Sequence, residues 1–231
     1  EIDSLIDLLQ DMGARIEGKG TRSLIIHGVE KMHPGLSKTI PDRIEAGSFL
    51  CGAVITRGKV KAMHCNPKHI KSLLDIFEEM GCIVHTGDDW AEVDASSRDL
   101  RPVRVETEPY PGFPTDLQAP LMAVLATVPG ESKIRDTVYL DRFKHVAELN
   151  RLGADISLEG NTATIKGIEK LQGAPVMASD LRAAAALVLA GLVAEGETRV
   201  SRIYHLDRGY ENFEAKMAKL GARILRQNDQ T

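Results

Sequence analysis

The sequence predicts an α/β domain with enclosed apolar helices and sheets outside, built from a strand–helix–strand–helix–strand–strand unit that recurs three times from about residue 41. Two repeated patterns carry this reading. A Met/Leu-Gly-small motif (in one copy Met-Gly-Cys) recurs at Gly13, Gly81, Gly153 and Gly221, spaced 68, 72 and 68 residues apart, and self-similarity at a near-constant period is the signature of a repeated supersecondary unit. A helix start recurs as Pro41-Asp42-Arg43, Pro114-Thr115-Asp116-Leu117 and Ala178-Ser179-Asp180-Leu181-Arg182. Composition agrees: 43% hydrophobic and 27% charged residues over 231 positions give a globular chain long enough to bury a substantial core.

Residues 1–40 read as the tail of a preceding, similar α/β domain. They carry the glycine motif in Met12-Gly13-Ala14-Arg15-Ile16, and Ile26-His27-Gly28-Val29-Glu30-Lys31 parallels Ile165-Lys166-Gly167-Ile168-Glu169-Lys170. The second domain is expected over residues 41–231. Its first small-residue helix follows Pro41-Asp42-Arg43 and ends near Gly58, before the β-like run Lys59 to Met63. Leu73, Phe77 and Met80 then fall at i, i+4, i+7 and place an apolar stripe on one helix face; Gly81 sits where a left-handed C-cap residue belongs, and Cys82-Ile83-Val84 begins the next strand. The second unit repeats the order from Pro114 through the turn at Gly130 to Leu152-Gly153-Ala154. The third runs from Asp180 through the Ala-rich helix 183–194, the turn at Gly196 and the run 198–203 to Phe213, Met217, Leu220 and Gly221. The Ala-rich helix has few polar residues and is expected to be enclosed.

Several function classes are excluded early. The net charge of −4 argues against a nucleic-acid partner, and no apolar run approaches the roughly 18 residues that span a bilayer. No phosphate-binding loop, dinucleotide fingerprint, nucleophile elbow or metal-ligand spacing is present, so neither a cofactor nor a metal is expected. Cys51, Cys65 and Cys82 show no CxxC spacing and read as reduced core-filling thiols. The histidines, His145 and His205 among them, read as hydrogen-bonded structural residues.

The polar residues with chemical potential lie at the repeated junctions. Asp42, Asp116 and Asp180 occupy equivalent helix starts, where capping free N–H groups is the common role of Asp. Asp116 differs, because it follows Pro109-Tyr110-Pro111-Gly112-Phe113-Pro114, a loop restricted enough to hold a carboxylate for acid–base work. Arg142 and Arg208 each lie 12 residues beyond a turn glycine, in Tyr139-Leu140-Asp141-Arg142 and His205-Leu206-Asp207-Arg208, and Arg182 opens a helix. Three guanidinium groups at strand–helix junctions could converge on one small anion; equally, each could pair with a neighbouring aspartate, Asp141 or Asp207.

These residues also carry a resemblance. Pro41-Asp42-Arg43-Ile44-Glu45-Ala46-Gly47, Phe113-Pro114-Thr115-Asp116-Leu117-Gln118-Ala119, Asp180-Leu181-Arg182-Ala183 and Ile203-Tyr204-His205-Leu206-Asp207-Arg208-Gly209-Tyr210-Glu211 resemble the UDP-N-acetylglucosamine 1-carboxyvinyltransferases through the whole chain. The resemblance implies an inside-out α/β architecture with pseudo-threefold repeats, the enolpyruvyl transferase fold. It implies transfer of enolpyruvyl from phosphoenolpyruvate to the 3′-hydroxyl of UDP-N-acetylglucosamine with release of phosphate, the first committed step of peptidoglycan synthesis, in the cytoplasm. By the same resemblance Asp116 contacts the sugar hydroxyl as its general base, Val138 touches the sugar nucleotide, and Arg142, Arg182 and Arg208 bind the carboxylate and phosphate of phosphoenolpyruvate. The family's N-terminal portion, with a Lys-Asn pair, a mobile loop and most uridine contacts, has no counterpart here. The expectation is therefore a chain inactive alone, its second domain incomplete, that needs that N-terminal half as partner. The alternative is a non-catalytic ligand- or partner-binding module derived from the enzyme.

Overall fold

A computed structural model describes residues 1–96 and 99–227. They form two compact units, one within 1–42 and the other within 43–231. In the first, helix α1 (Ile2–Asp11) leads through Gly13 into strand β1 (Arg15–Glu17), which pairs antiparallel with β2 (Ile25–His27). Gln10 caps this turn by donating from its amide to the Ile16 carbonyl, 2.8 Å.

The second unit holds α2 (Arg43–Ile55), β3 (Lys59–Met63), α3 (Lys71–Met80), β4 (Ile83–Thr86) and β5 (Trp90–Asp94). Next come β6 (Arg104–Thr107), α4 (Gln118–Leu125), β7 (Gly130–Asp136), α5 (His145–Arg151), β8 (Asp155–Glu159) and β9 (Thr162–Gly167). The third series is β10 (Pro175–Met177), α6 (Leu181–Gly191), β11 (Arg199–Ser201), the short α7 (Tyr204–Asp207) and α8 (Phe213–Lys219). The expected enclosure of the small-residue helices is met. All eight residues of α4 are buried, as are Ala183 through Ala190 of α6, and α2, α4 and α6 pack against one another. Close approach explains the small residues: a Cβ at Gly47 of α2 would lie 2.8 Å from a Leu117 methyl. Pro120 is tolerated in the first turn of α4 because N–H groups there have no intrahelical partner.

Three sheets surround these helices. The middle repeat is complete, with strand order β6-β7-β9-β8, whereas the first sheet is β3-β5-β4 and the third only β10-β11. In the middle sheet β6 and β7 are parallel, and β9 runs antiparallel to β7 and β8. The strand expected after Gly221 does not form: 222–227 carry no strand pairing among the described residues. The middle sheet gives the reason. There the strand after the amphipathic helix, β8, pairs only with β9, and among the described residues no strand takes the place of β9 in the third sheet, so 222–227 have no ladder to join. Their alternation survives: Ala222 and Ile224 still pack against the core.

The four motif glycines all adopt the left-handed conformation, with φ of 96°, 102°, 88° and 101° at Gly13, Gly81, Gly153 and Gly221, which explains the repeated residue type. Cys51, Cys65 and Cys82 are buried and free. Burial raises all three thiols, Cys82 to about 11, with Arg57 opposing the shift there. Trp90, the single tryptophan, lies opposite Met63 in the first sheet, with the Lys61 ammonium 3.5 Å from its ring centre.

Candidate functional site

The site is assembled by the loop after β6, the loop after β7 and the first turn of α6. The first loop contains a cis Tyr110–Pro111 peptide and closes on itself: Glu108 N–H donates to the Phe113 carbonyl and Gly112 N–H to that of Pro109, both 2.9 Å. It delivers Asp116 in a single 3₁₀ turn, Thr115–Leu117, ahead of α4. Asp116 is not a cap here. Its carboxylate faces Arg142 Nη2 at 2.7 Å and Arg182 Nε at 3.3 Å.

Asp116, Arg142 and Arg182 are therefore brought together. The two neighbour pairings are replaced: Arg142 takes Asp116 rather than Asp141, and Asp207 takes Arg226, leaving Arg208 without an ion pair among the described residues. Arg208 ends α7, exposed to solvent. Its neighbour Gly209 packs closely on Leu181, where a Cβ would meet a methyl at 2.8 Å, and Tyr210 lies under the Arg182 guanidinium, 5.9 Å from ring centre to Cζ. The Tyr210 hydroxyl is tied to Ser48 Oγ of α2 at 2.7 Å. Val138 is 45% exposed, and its N–H donates to Asp136.

Asp180 has the capping role, accepting from the N–H groups of Arg182 and Ala183, both 3.0 Å. That cap fixes the turn from which Arg182 projects. Burial raises the Asp180 carboxyl, but the two backbone N–H groups, Ser179 and nearby His145 hold it below the ordinary carboxylate range. Burial likewise raises Asp116, and the Arg182 and Arg142 charges outweigh it, so that Asp116 is held ionised below its usual range. His145 is 2% exposed and its Nε2 has no hydrogen-bond partner among the described residues, which corrects the expectation of a hydrogen-bonded histidine. The ring stacks on Phe143, 6.4 Å between centres. Burial pushes it down to about 4, opposed by Asp180 and assisted by Arg142. The His205 Nδ1 is also unpartnered among the described residues. That atom too departs from the expectation, while the ring packs beside Tyr204, 4.3 Å between centres.

Sequence reasoning missed Asp136 and Thr115. Ser132, Ile134 and Asp136 are the inward positions of β7, so Asp136 is an acidic residue in apolar phase, and that was the available signal. It is fully buried. Its Oδ1 accepts from Thr107 Oγ1 (2.8 Å) and from the N–H groups of Val138 (3.0 Å) and Tyr139 (2.8 Å); its Oδ2 accepts from Thr115 Oγ1 (2.6 Å). Chemically the site offers one carboxylate held by two guanidinium groups, with a third nearby in sequence to Tyr210. Such an arrangement suits a small dianion and an acidic proton beside it. Among the described residues no group of His, Cys, Asp and Glu could hold a metal ion, and no helix is long and apolar enough to cross a membrane.

Residues 1–217 match the family described as EPSP synthase (3-phosphoshikimate 1-carboxyvinyltransferase). UDP-N-acetylglucosamine 1-carboxyvinyltransferase from Acinetobacter baylyi is 52% identical over 98% of this chain and 54% of its own length. The enzyme of the same name from Hydrogenovibrio crunogenus is 50% identical over 99% of this chain and 54% of its own. The chain thus spans about half the length of the curated relatives it matches. Among solved structures, the enolpyruvyl transferase NikO from Streptomyces tendae superposes with a TM-score of 0.83 at 30% identity, covering 94% of this chain and 52% of its own. An EPSP synthase from Acinetobacter baumannii, at 20% identity, shares the fold with a TM-score of 0.70, covering 95% of this chain and 54% of its own.

Proposed function

This chain belongs to the EPSP synthase family of carboxyvinyltransferases, and from that premise we propose that it forms part of an enzyme transferring enolpyruvyl from phosphoenolpyruvate to the 3′-hydroxyl of UDP-N-acetylglucosamine. The observation that carries the reading is Asp116 held between Arg142 and Arg182. Identity of about half to enzymes named for the sugar nucleotide supports that acceptor over shikimate phosphate. The setting proposed is the cytoplasm, in the synthesis of the cell-wall precursor on which cell shape and division depend.

In the transfer a C–O bond to the sugar oxygen replaces the C–O bond to phosphate, so the hydroxyl proton must leave. Asp116 is the acceptor for that proton. Held by two guanidinium groups it is a weak base. Arrival of the polyanionic substrate draws Arg142 and Arg182, together with Arg208, toward carboxylate and phosphate oxygens. The Asp116 carboxyl then rises toward its ordinary range, and its basicity appears only with substrate in place. The Val138 carbonyl faces the sugar nucleotide. A separate N-terminal portion of the same enzyme is the proposed partner that completes the site, and the domain boundary near residue 41 marks where the second domain of that enzyme begins.

The test is phosphate release from phosphoenolpyruvate plus UDP-N-acetylglucosamine, with the chain alone and with a separately made N-terminal portion. Activity is expected only in the mixture, and Asp116→Ala should remove it by at least about 10²-fold. A folded, silent mixture would instead favour a non-catalytic module.

A further inference from the structure

We propose that Asp136 is a positioning residue of this site, acting through the Thr115 hydroxyl to deliver Arg142 onto Asp116. The inference rests on the reading of Asp116 and Arg142 above, but its geometry stands by itself. Asp136 is fully buried and has no ion-pair partner among the described residues. A buried carboxylate is costly and adds little to stability by comparison with an apolar residue of its size, so the four hydrogen bonds it accepts need a purpose beyond holding the fold.

Those bonds converge on the two segments that bear the site. The parallel register of β6 and β7 sets Thr107 beside Asp136, and Thr107 Oγ1 donates to Oδ1. The N–H groups of Val138 and Tyr139 donate to the same oxygen and fold the chain leaving β7. Arg142 N–H then donates to the Tyr139 carbonyl at 3.2 Å, so the Arg142 backbone hangs from the turn that Asp136 shapes. The other oxygen accepts from Thr115. Because a carboxylate has no proton to give, the direction of that bond is fixed. The Thr115 hydroxyl donates inward and presents a lone pair to Arg142 Nη1, 3.2 Å away, while Nη2 of the same planar group meets Asp116. Asp136 thus sets both the root of Arg142 and, through one hydroxyl, the tip.

The groups facing the Asp116 carboxylate are Arg142 and Arg182, which makes its titration a direct reading of where Arg142 lies. The experiment is a carbon-13 carboxyl NMR titration of Asp116 in the 231-residue chain, for wild type, Thr115→Val, Thr115→Ser and Asp136→Asn, each first shown folded by its amide spectrum. Thr115→Val removes the hydroxyl at a half-buried position and should raise the Asp116 midpoint by about one pH unit, the scale expected when an adjacent opposite charge is lost. Thr115→Ser should restore it. Asp136→Asn, which sets an N–H donor where Oδ2 stood, should raise it in the same direction. If Asp136→Asn does not fold, the Thr115 pair decides. An Asp116 midpoint unchanged in folded Thr115→Val or in folded Asp136→Asn, or raised equally in Thr115→Ser, overturns the proposal. No substrate or partner is needed, so silence in the phosphate-release assay leaves this result standing, and the converse holds as well.

Discussion

His145 shows how one buried imidazole costs the chain acid stability. Its ring is buried against Phe143, and it stays neutral down to about pH 4, whereas in the unfolded chain it takes a proton below about 6.5. Between these values the unfolded state binds more protons, so stability falls as pH drops through that window. The interval, from the ordinary 6.5 to about 4, corresponds to on the order of 3 kcal/mol. Urea midpoints measured at pH 7 and pH 4.5 should therefore separate clearly in wild type and converge in His145→Phe. Asp116 and Asp180, both held below the ordinary carboxylate range, lose their contributions at more acid pH, as it falls below the unfolded carboxylate value toward their folded ones. Equal pH dependence in the variant would mean that the buried imidazole is not the source.

At the scale of elements, two of the three equivalent helix starts have been put to different uses. Asp180 caps α6 with two bonds, while Asp116, at the corresponding place before α4, gives up capping for two arginines. Asp180→Ala should cost about 1 kcal/mol in denaturant unfolding, and Asp180→Ser should recover most of it; no change would show that another group satisfies those N–H donors. The repeat was legible because each copy reuses the same glycine φ and the same apolar spacing. Asp116 stood out by its proline-rich approach, Arg142 by its distance past a turn glycine and Arg182 by its place at a helix start, and the structure brings these three together. What escaped was whatever depends on contacts between segments distant in sequence. Which aspartate Arg142 would choose was open, since Asp141 is adjacent in sequence and Asp116 only in space. Asp136 was hidden because its partners come from β6, the Thr115 turn and its own loop. The strand after Gly221 was over-read, since a strand pattern forms a strand only when a ladder exists to receive it.

At the scale of the molecule, the second unit's sheets of three, four and two strands leave the third, among the described residues, without the strand that β9 supplies in the middle one. In the complete middle sheet the fourth strand in sequence lies between the second and third. A segment of the proposed N-terminal portion docking along β11 would fill that place and give residues 222–226 a neighbour. Hydrogen exchange should then show amides of 222–226 and of the β11 edge facing away from β10 becoming protected when the portion is added. Protection elsewhere with these amides still exchanging freely would mean that assembly does not use this edge.

The placement of Trp90 has a practical consequence. It is the only indole in the chain, it sits in the first sheet against Lys61 and Met63, and that sheet contributes none of the side chains around Asp116. Intrinsic fluorescence excited at the indole band therefore watches one repeat and is blind to the others. Set against far-ultraviolet circular dichroism, which averages over every helix and strand, it gives an unlabelled two-probe comparison. Coincident melting curves would mark the three repeats as one cooperative block, and a displaced indole signal would mark the first repeat as unfolding on its own terms.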